Sequence, residues 1–180
     1  MRTFFVDQMA MYAAYHTDAR NRLTHFFGVP AIAFSLLIPL AWLGFAEVGP
    51  YTVSAATLFA AAVMIYWVLG EPVVGGLTAI FYLPFLVLAD WIAGFGAGIG
   101  GTLFVILFVG GWIIQLVGHA FEGRKPALVD NFLQIFAAPT FLTAELVFAL
   151  GWRQELKEQV AALTPDYLPA DAPVTESLAG

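Results

Sequence analysis

The 180-residue chain has no cysteine, which excludes a disulfide framework, a thiolate metal ligand, an iron–sulfur centre and a cysteine nucleophile. Charge is almost as scarce. Asp, Glu, Lys and Arg make up 11% of the residues, against about 25% in soluble globular domains. The few charges are biased, 7 basic against 13 acidic for a formal charge of −6, so no nucleic-acid partner is expected. Serine is confined to Ser35, Ser54 and Ser177, none beside a histidine, which argues against Ser/His/Asp hydrolysis. The first 25 residues lack a short apolar core followed by a small-residue cleavage site, so no cleavable signal peptide is expected.

What the chain has is apolar length. Hydrophobic residues reach 61% and the mean hydropathy is +0.83. A bilayer core takes about 20 apolar residues per helix, and four runs qualify: 28–46, 51–69, 73–93 and 99–118. Turn residues separate them, as in Gly49-Pro50 and Gly70-Glu71-Pro72. A fifth run, 131–150, contains Gln134, Pro139 and Glu145. Buried charge and a mid-segment proline suit a bent, re-entrant piece as well as a further crossing, and Arg153 and Lys157 after the run, cytoplasmic if it returns, tip the reading to re-entrant. The links between the four runs hold no Lys or Arg. Arg2, Arg20 and Arg22 precede the first run, and Arg124 and Lys125 follow the fourth. The positive-inside rule therefore places the N-terminus and the loop at 124–125 together in the cytoplasm.

The expected fold is an all-α polytopic membrane helix bundle. It has four transmembrane helices, an interfacial N-terminal helix over 2–15 and the re-entrant fifth segment. Phe4, Phe5, Met9, Met11, Tyr12 and Tyr15 give that first helix its apolar side. Residues 1–150 read as a single membrane-embedded catalytic domain, 151–163 as a surface helix and 164–180 as a disordered tail.

Only three histidines occur, His16, His25 and His119, all in the polar breaks around the apolar runs. An even number of crossings separates them, so all three can meet on one side of a membrane. His16 and His25 are nine apart, on opposite faces of any continuous helix; they share a ligand only if the helix breaks between them. Thr17 and Asp18 are suitable caps for a new helix, on which Asn21 and His25 share a face. Tyr12 and His16 then oppose them. Gln115, His119 and Glu122 lie on one face at the end of the fourth run. Three imidazoles with a carboxylate or water suit Zn(II) or non-haem Fe(II), not Mg or Ca. Arg20, Arg22, Arg124 and Lys125 flank this group, either as topology and lipid-phosphate anchors or as a clamp for a substrate carboxylate, best done by a bidentate Arg. Asp90 lies on the other side of the membrane, away from the histidines.

The residues Tyr15-His16, Asn21-Arg22 and His25-Phe26-Phe27-Gly28-Val29-Pro30 are followed by Trp112, Gln115, Gly118-His119, Phe121-Glu122 and Pro126-Ala127-Leu128. Together with Asp130, Gln134, Ala138-Pro139, Phe141 and Glu145, they resemble the 2-hydroxy-fatty-acid dioxygenases first known from fungal phytosphingosine breakdown, over roughly residues 5–150. The resemblance implies an Fe(II)-dependent enzyme that shortens a 2-hydroxy fatty acid by one carbon with O2. It carries the iron ligands to His16, His25 and His119. Tyr12, Asn21 and Glu122 are the further candidate catalytic residues, and Arg20, Arg22, Arg124 and Gln115 the candidate substrate-binding residues. The expected setting is a multi-pass integral membrane protein, in a bacterial inner membrane or an endoplasmic reticulum, with membrane lipids around it. The alternatives are a zinc-dependent lipid hydrolase on the same ligands, a transporter, or a scaffold in which the histidines are incidental.

Overall fold

The computed structural model describes residues 2–49 and 51–168. Seven α-helices follow in order: α1 (Arg2–Ala14), α2 (Ala19–Ala41), α3 (Ala55–Gly70), α4 (Pro72–Ala93), α5 (Gly96–Glu122), α6 (Gln134–Ala149) and α7 (Gln154–Leu163). Their starts are marked chemically. Asp18 caps α2, accepting the Arg20 N–H at 2.8 Å. Ser54 and Thr57 form a reciprocal capping box at α3. Glu71 caps α4, and Pro72 fills its first position.

Three helices are long and apolar enough to cross a membrane: α2, α4 and α5, of 23, 22 and 27 residues. The expected second span is shorter. At 16 residues α3 rises about 24 Å, below the roughly 30 Å of a hydrocarbon core. The chain is also not wholly helical. Strands β1 (Gly44–Val48) and β2 (Tyr51–Ser54) form an antiparallel hairpin across the end of the first apolar run and the start of the second. Hydropathy counts apolar residues without regard to backbone, so both runs overreached into the hairpin. At its N-terminal side α2 begins nine residues before the run it was expected to fill, because the Asp18 cap sets its start.

The most extensive helix pairing is α2 against α5, and small residues let the backbones close. A Cβ added at Gly118 would lie 2.0 Å from Thr24 Oγ1, and one at Gly28 would lie 2.7 Å from Gln115 Cγ. This approach places the start of α2 against the end of α5. At the far end a core of Leu37, Ile38, Ala41, Ala56, Ala60, Ala89 and Ile92 joins α2, α3 and α4.

A second core joins α1, α6 and α7. Phe5, Val6, Met9 and Tyr12 pack with Ala137, Phe141, Val147, Leu156 and Val160. The apolar side of α1 is therefore largely covered by protein, with Phe4 left exposed. A helix lying on lipid and one roofed by other helices carry the same pattern, so sequence cannot separate them. Both ends of α6 are tied to the histidine end of the bundle. Asn131, just before it, donates to Gln8 of α1 at 2.9 Å, and Glu145 lies 3.6 Å from Arg22 in the first turn of α2. Beyond α6, Arg153 pairs with buried Glu71 at the α3–α4 joint. The expected surface helix is α7, half-covered through Leu156 and Val160. Where the disordered tail was expected to begin, Thr164–Tyr167 instead forms a 3-10 turn. There the Tyr167 hydroxyl donates to Asp7, and Arg124 donates to the Tyr167 carbonyl. The rest of the expected tail lies outside the described residues.

Candidate metal centre

The helix break at 15–18 does what the nine-residue spacing required. It turns the chain so that His16, two residues past the end of α1, faces His25, about two turns into α2. His119 arrives from the last turn of α5. All three are buried, and one ring nitrogen from each lies within 4.8 Å of the others. His16 Nε2 and His25 Nε2 are 3.2 Å apart.

Hydrogen bonding fixes which nitrogens point inward. His16 Nδ1 lies 2.7 Å from the Tyr12 carbonyl, and His25 Nδ1 lies 2.8 Å from the Asn21 carbonyl. A carbonyl only accepts, so both Nδ1 atoms carry the proton and both Nε2 atoms present lone pairs to one another. Burial, then neighbouring His25, holds the His16 pKa well below the usual imidazole value, opposed by the Tyr12 carbonyl. A shared proton is thus disfavoured. His119 Nδ1 is buried with no hydrogen-bond partner among the described residues. Three converging imidazoles, two of them with outer nitrogens donating to carbonyls, are the donor set of a late first-row divalent metal. The residues fit the group.

Tyr12 stacks on His16, ring centroids 3.9 Å apart and 5° from parallel. Glu122 makes no hydrogen bond to a histidine ring among the described residues. Its Oε1 accepts from Thr17 N (2.8 Å) and Thr17 Oγ1 (2.5 Å), and its Oε2 from Asp18 N (2.9 Å) and Asn21 Nδ2 (3.0 Å). It clamps the turn between His16 and α2, a carboxylate beside the positive end of a helix. Asn21 completes the clamp, also donating to the Tyr15 carbonyl at 3.3 Å.

The histidines open into a cavity of about 260 Å³. His25, Val29, Ile32 and Leu36 descend one wall along α2, and Ala60, Met64 and Trp67 of α3 form another. Gln115 lines it, one turn from His119. No arginine does, among the described residues. Arg20 pairs with Asp18 at 2.7 Å and lies over the Phe121 ring. Arg22 donates to the His16 and Thr17 carbonyls. Arg124 donates to the Ala14 and Tyr167 carbonyls and stacks on Tyr15 at 3.4 Å. The structure gives all three a scaffold task at the helix break. Lys125, then the Tyr15 hydroxyl, hold the Asp130 carboxyl below its usual pKa, and this cluster pins the segment from which Pro126, Ala127 and Leu128 reach the cavity.

Tyr82, Trp67 and Gln134 also line the cavity and were not among the sequence candidates. The available signal was a phenol inside an otherwise apolar span, since a buried tyrosine hydroxyl usually has a partner.

A family model described as "2-hydroxy-palmitic acid dioxygenase Mpo1-like" matches residues 2–150. The chain is 35% identical over 152 residues to the 2-hydroxy-palmitic acid dioxygenase MPO1 of Saccharomyces cerevisiae, covering 83% of each chain. No solved structure matches. The matched region takes in all three histidines, the break that turns them together and the cavity beneath them, and the chain belongs to the Mpo1-like family.

Proposed function

We propose that this chain is an Fe(II)-dependent dioxygenase that converts 2-hydroxy fatty acids to acids one carbon shorter, using O2. The observation that carries the reading is a buried cluster of three converging imidazoles at the head of a long apolar cavity. A polar head would lie at the histidines while an alkyl chain follows α2 inward. From His25 to Leu37 that wall runs about 18 Å at the helical rise. Bound iron would be the template at which hydroxy acid and O2 meet, passing to O2 electrons that come from the acid, which leaves as the shorter acid and CO2.

The protein's share is to hold and exclude. His16, His25 and His119 would ligate, Tyr12 keeps the His16 ring in plane, and Asn21 and Glu122 keep the turn that aims it. The apolar walls keep water from the reacting head. Gln115, with no hydrogen bond among the described residues, is available to the substrate. We further assign residues 1–150 as the catalytic domain and read the membrane topology as four crossings with both ends cytoplasmic. The short α3 would then complete the even number, and α6 would return to the side it entered from, as its two tethers suggest.

The test is purification under anaerobic conditions, metal analysis, then O2 with a panel of 2-hydroxy fatty acids. The expected result is about one iron per chain and a product one carbon shorter. Zinc occupancy with ester or amide cleavage would replace this reading with the hydrolase; no metal at all would refute both.

A further inference from the structure

A fatty acid brings a carboxylate into an apolar cavity, and the charge needs donors as well as a metal. Arg20, Arg22 and Arg124 are committed elsewhere. Among the described residues, the cavity-lining hydroxyls of Tyr12 and Tyr82 have no hydrogen-bond partner. Neither oxygen is shut off from the cavity space, so each is free to bond to whatever enters it. Tyr12 already serves as the plate against which His16 stacks. Tyr82 has no such task.

Tyr82 is 6% exposed and its ring is wedged between Trp67 (5.5 Å) and Phe85 (5.2 Å). Trp67 is itself anchored, its indole N–H donating to the Phe136 carbonyl at 2.8 Å. The phenol is therefore held rigidly, which suits a group that recognises rather than adapts. Its direction follows from the helix. Side chains on an α-helix lean toward its N-terminus, and the N-terminus of α4 is at the histidine end, where Val74 shares a core with Tyr12 and Val29.

Its depth follows from the far end. Ala89 shares a core with Ile38, and α2 and α4 run the same way. Stepping back from Ala89 to Tyr82 lowers the level on α2 from Ile38 to Ala31, about 9 Å beyond His25 at the helical rise. A phenol leaning back from there reaches toward the histidines, along the cavity that both it and Tyr12 line.

We infer that Tyr82 is a substrate-binding residue whose hydroxyl donates a hydrogen bond to the carboxylate of the bound acid; this rests on the proposed dioxygenase reading. A neutral donor to a charged acceptor in apolar surroundings is a strong contact. It also explains how a cavity without a cation of its own selects an acid.

The experiment is Tyr82→Phe, which keeps the ring packing and deletes the hydroxyl. Iron content and thermal midpoint should stay at wild-type values. KM for a 2-hydroxy fatty acid should rise about ten- to hundredfold. The inhibition constant of the unhydroxylated acid of the same length should rise by a similar factor, because the carboxylate is common to both. Unchanged constants would overturn the inference. So would weakening confined to the hydroxylated acid, which would assign the bond to the 2-hydroxyl. Loss of iron or of folding in Tyr82→Phe would give the hydroxyl a structural role and overturn it too. Phe85→Leu loosens the same packing but keeps the phenol; an equal rise there would assign the effect to packing. Should wild type turn over no 2-hydroxy acid, the dioxygenase reading fails. Binding of the plain fatty acid to wild type and Tyr82→Phe, read by thermal shift, then still decides the Tyr82 assignment.

Discussion

Glu122→Gln tests the idea that a carboxylate hydrogen-bonded to no histidine nevertheless governs the metal centre. Each Glu122 oxygen accepts two hydrogen bonds. The amide can place its NH2 only where one partner is able to accept, and Thr17 Oγ1 is that partner. The best arrangement therefore keeps Asp18 N and Asn21 Nδ2 on the amide oxygen and abandons Thr17 N. One charge-assisted bond is lost and three become neutral, the one to Thr17 Oγ1 with its direction reversed. At about 1.5–3 kcal/mol for bonds to charged groups against about 0.5–1.5 for neutral ones, the gross loss is several kcal/mol. Partial exposure of the turn lets water recover part of it, leaving about 2 kcal/mol. If that free energy holds His16 in line, metal affinity falls about 30-fold at about 1.4 kcal/mol per decade, within the range for carboxylates that orient ligands. Competition with a graded series of chelators measures it directly. A variant that binds iron as tightly as wild type would refute the bracing argument. One that purifies iron-free under conditions where wild type is loaded would make Glu122 a ligand.

His16→Ala, His25→Ala and His119→Ala should each abolish stoichiometric iron and turnover while membrane extraction and helical circular dichroism stay unchanged; full iron in any one of them removes that residue from the ligand set. Ala60 lines the cavity within the core that closes its far end, so Ala60→Phe should move the preference to shorter acids by tenfold or more in relative kcat/KM; an unshifted chain-length profile in a folded, iron-loaded variant would refute that path for the alkyl chain. Gly118→Ala puts a methyl 2.0 Å from Thr24 Oγ1 and 2.5 Å from Asn21 Oδ1, so α5 must move off α2 at a cost of about 1–3 kcal/mol, seen as a lower thermal midpoint and weaker iron binding; unchanged values for both would refute the close-approach argument. Cysteines placed at Arg2 and Lys125 should label from the same, cytoplasmic side; labelling from opposite sides would sink the topology.

The parts of this protein legible in its sequence are those where one residue type carries one meaning. Three histidines in an otherwise apolar chain pointed to a site. The spacing of His16 and His25 demanded a break, and Asp18 marked where the new helix starts; the structure places the break and the cap there. Four of the helices lie along the apolar runs. Hydropathy alone could not see that residues 44–48 and 51–54 pair as strands, nor that the apolar side of α1 faces α6 and α7. Both are tertiary choices that leave an apolar pattern unchanged.

The roles of charged residues were the least legible, for a physical reason. An arginine near a ligand cluster has the same sequence signature whether it binds substrate or closes a helix break. Here the break between α1 and α2 leaves the carbonyls of Ala14, His16 and Thr17 outside any helix ladder. Such groups must find donors. Arg22 and Arg124 supply them, and Glu122 and Asn21 take up the matching Thr17 and Asp18 N–H groups and the Tyr15 carbonyl. The nine-residue spacing that lets His16 meet His25 therefore creates a demand for polar partners, and that demand consumes the charges beside it. What remains for the acid are neutral donors within the apolar walls, Gln115 and the two phenols, which is why the charge pattern pointed to the site without naming what binds the substrate.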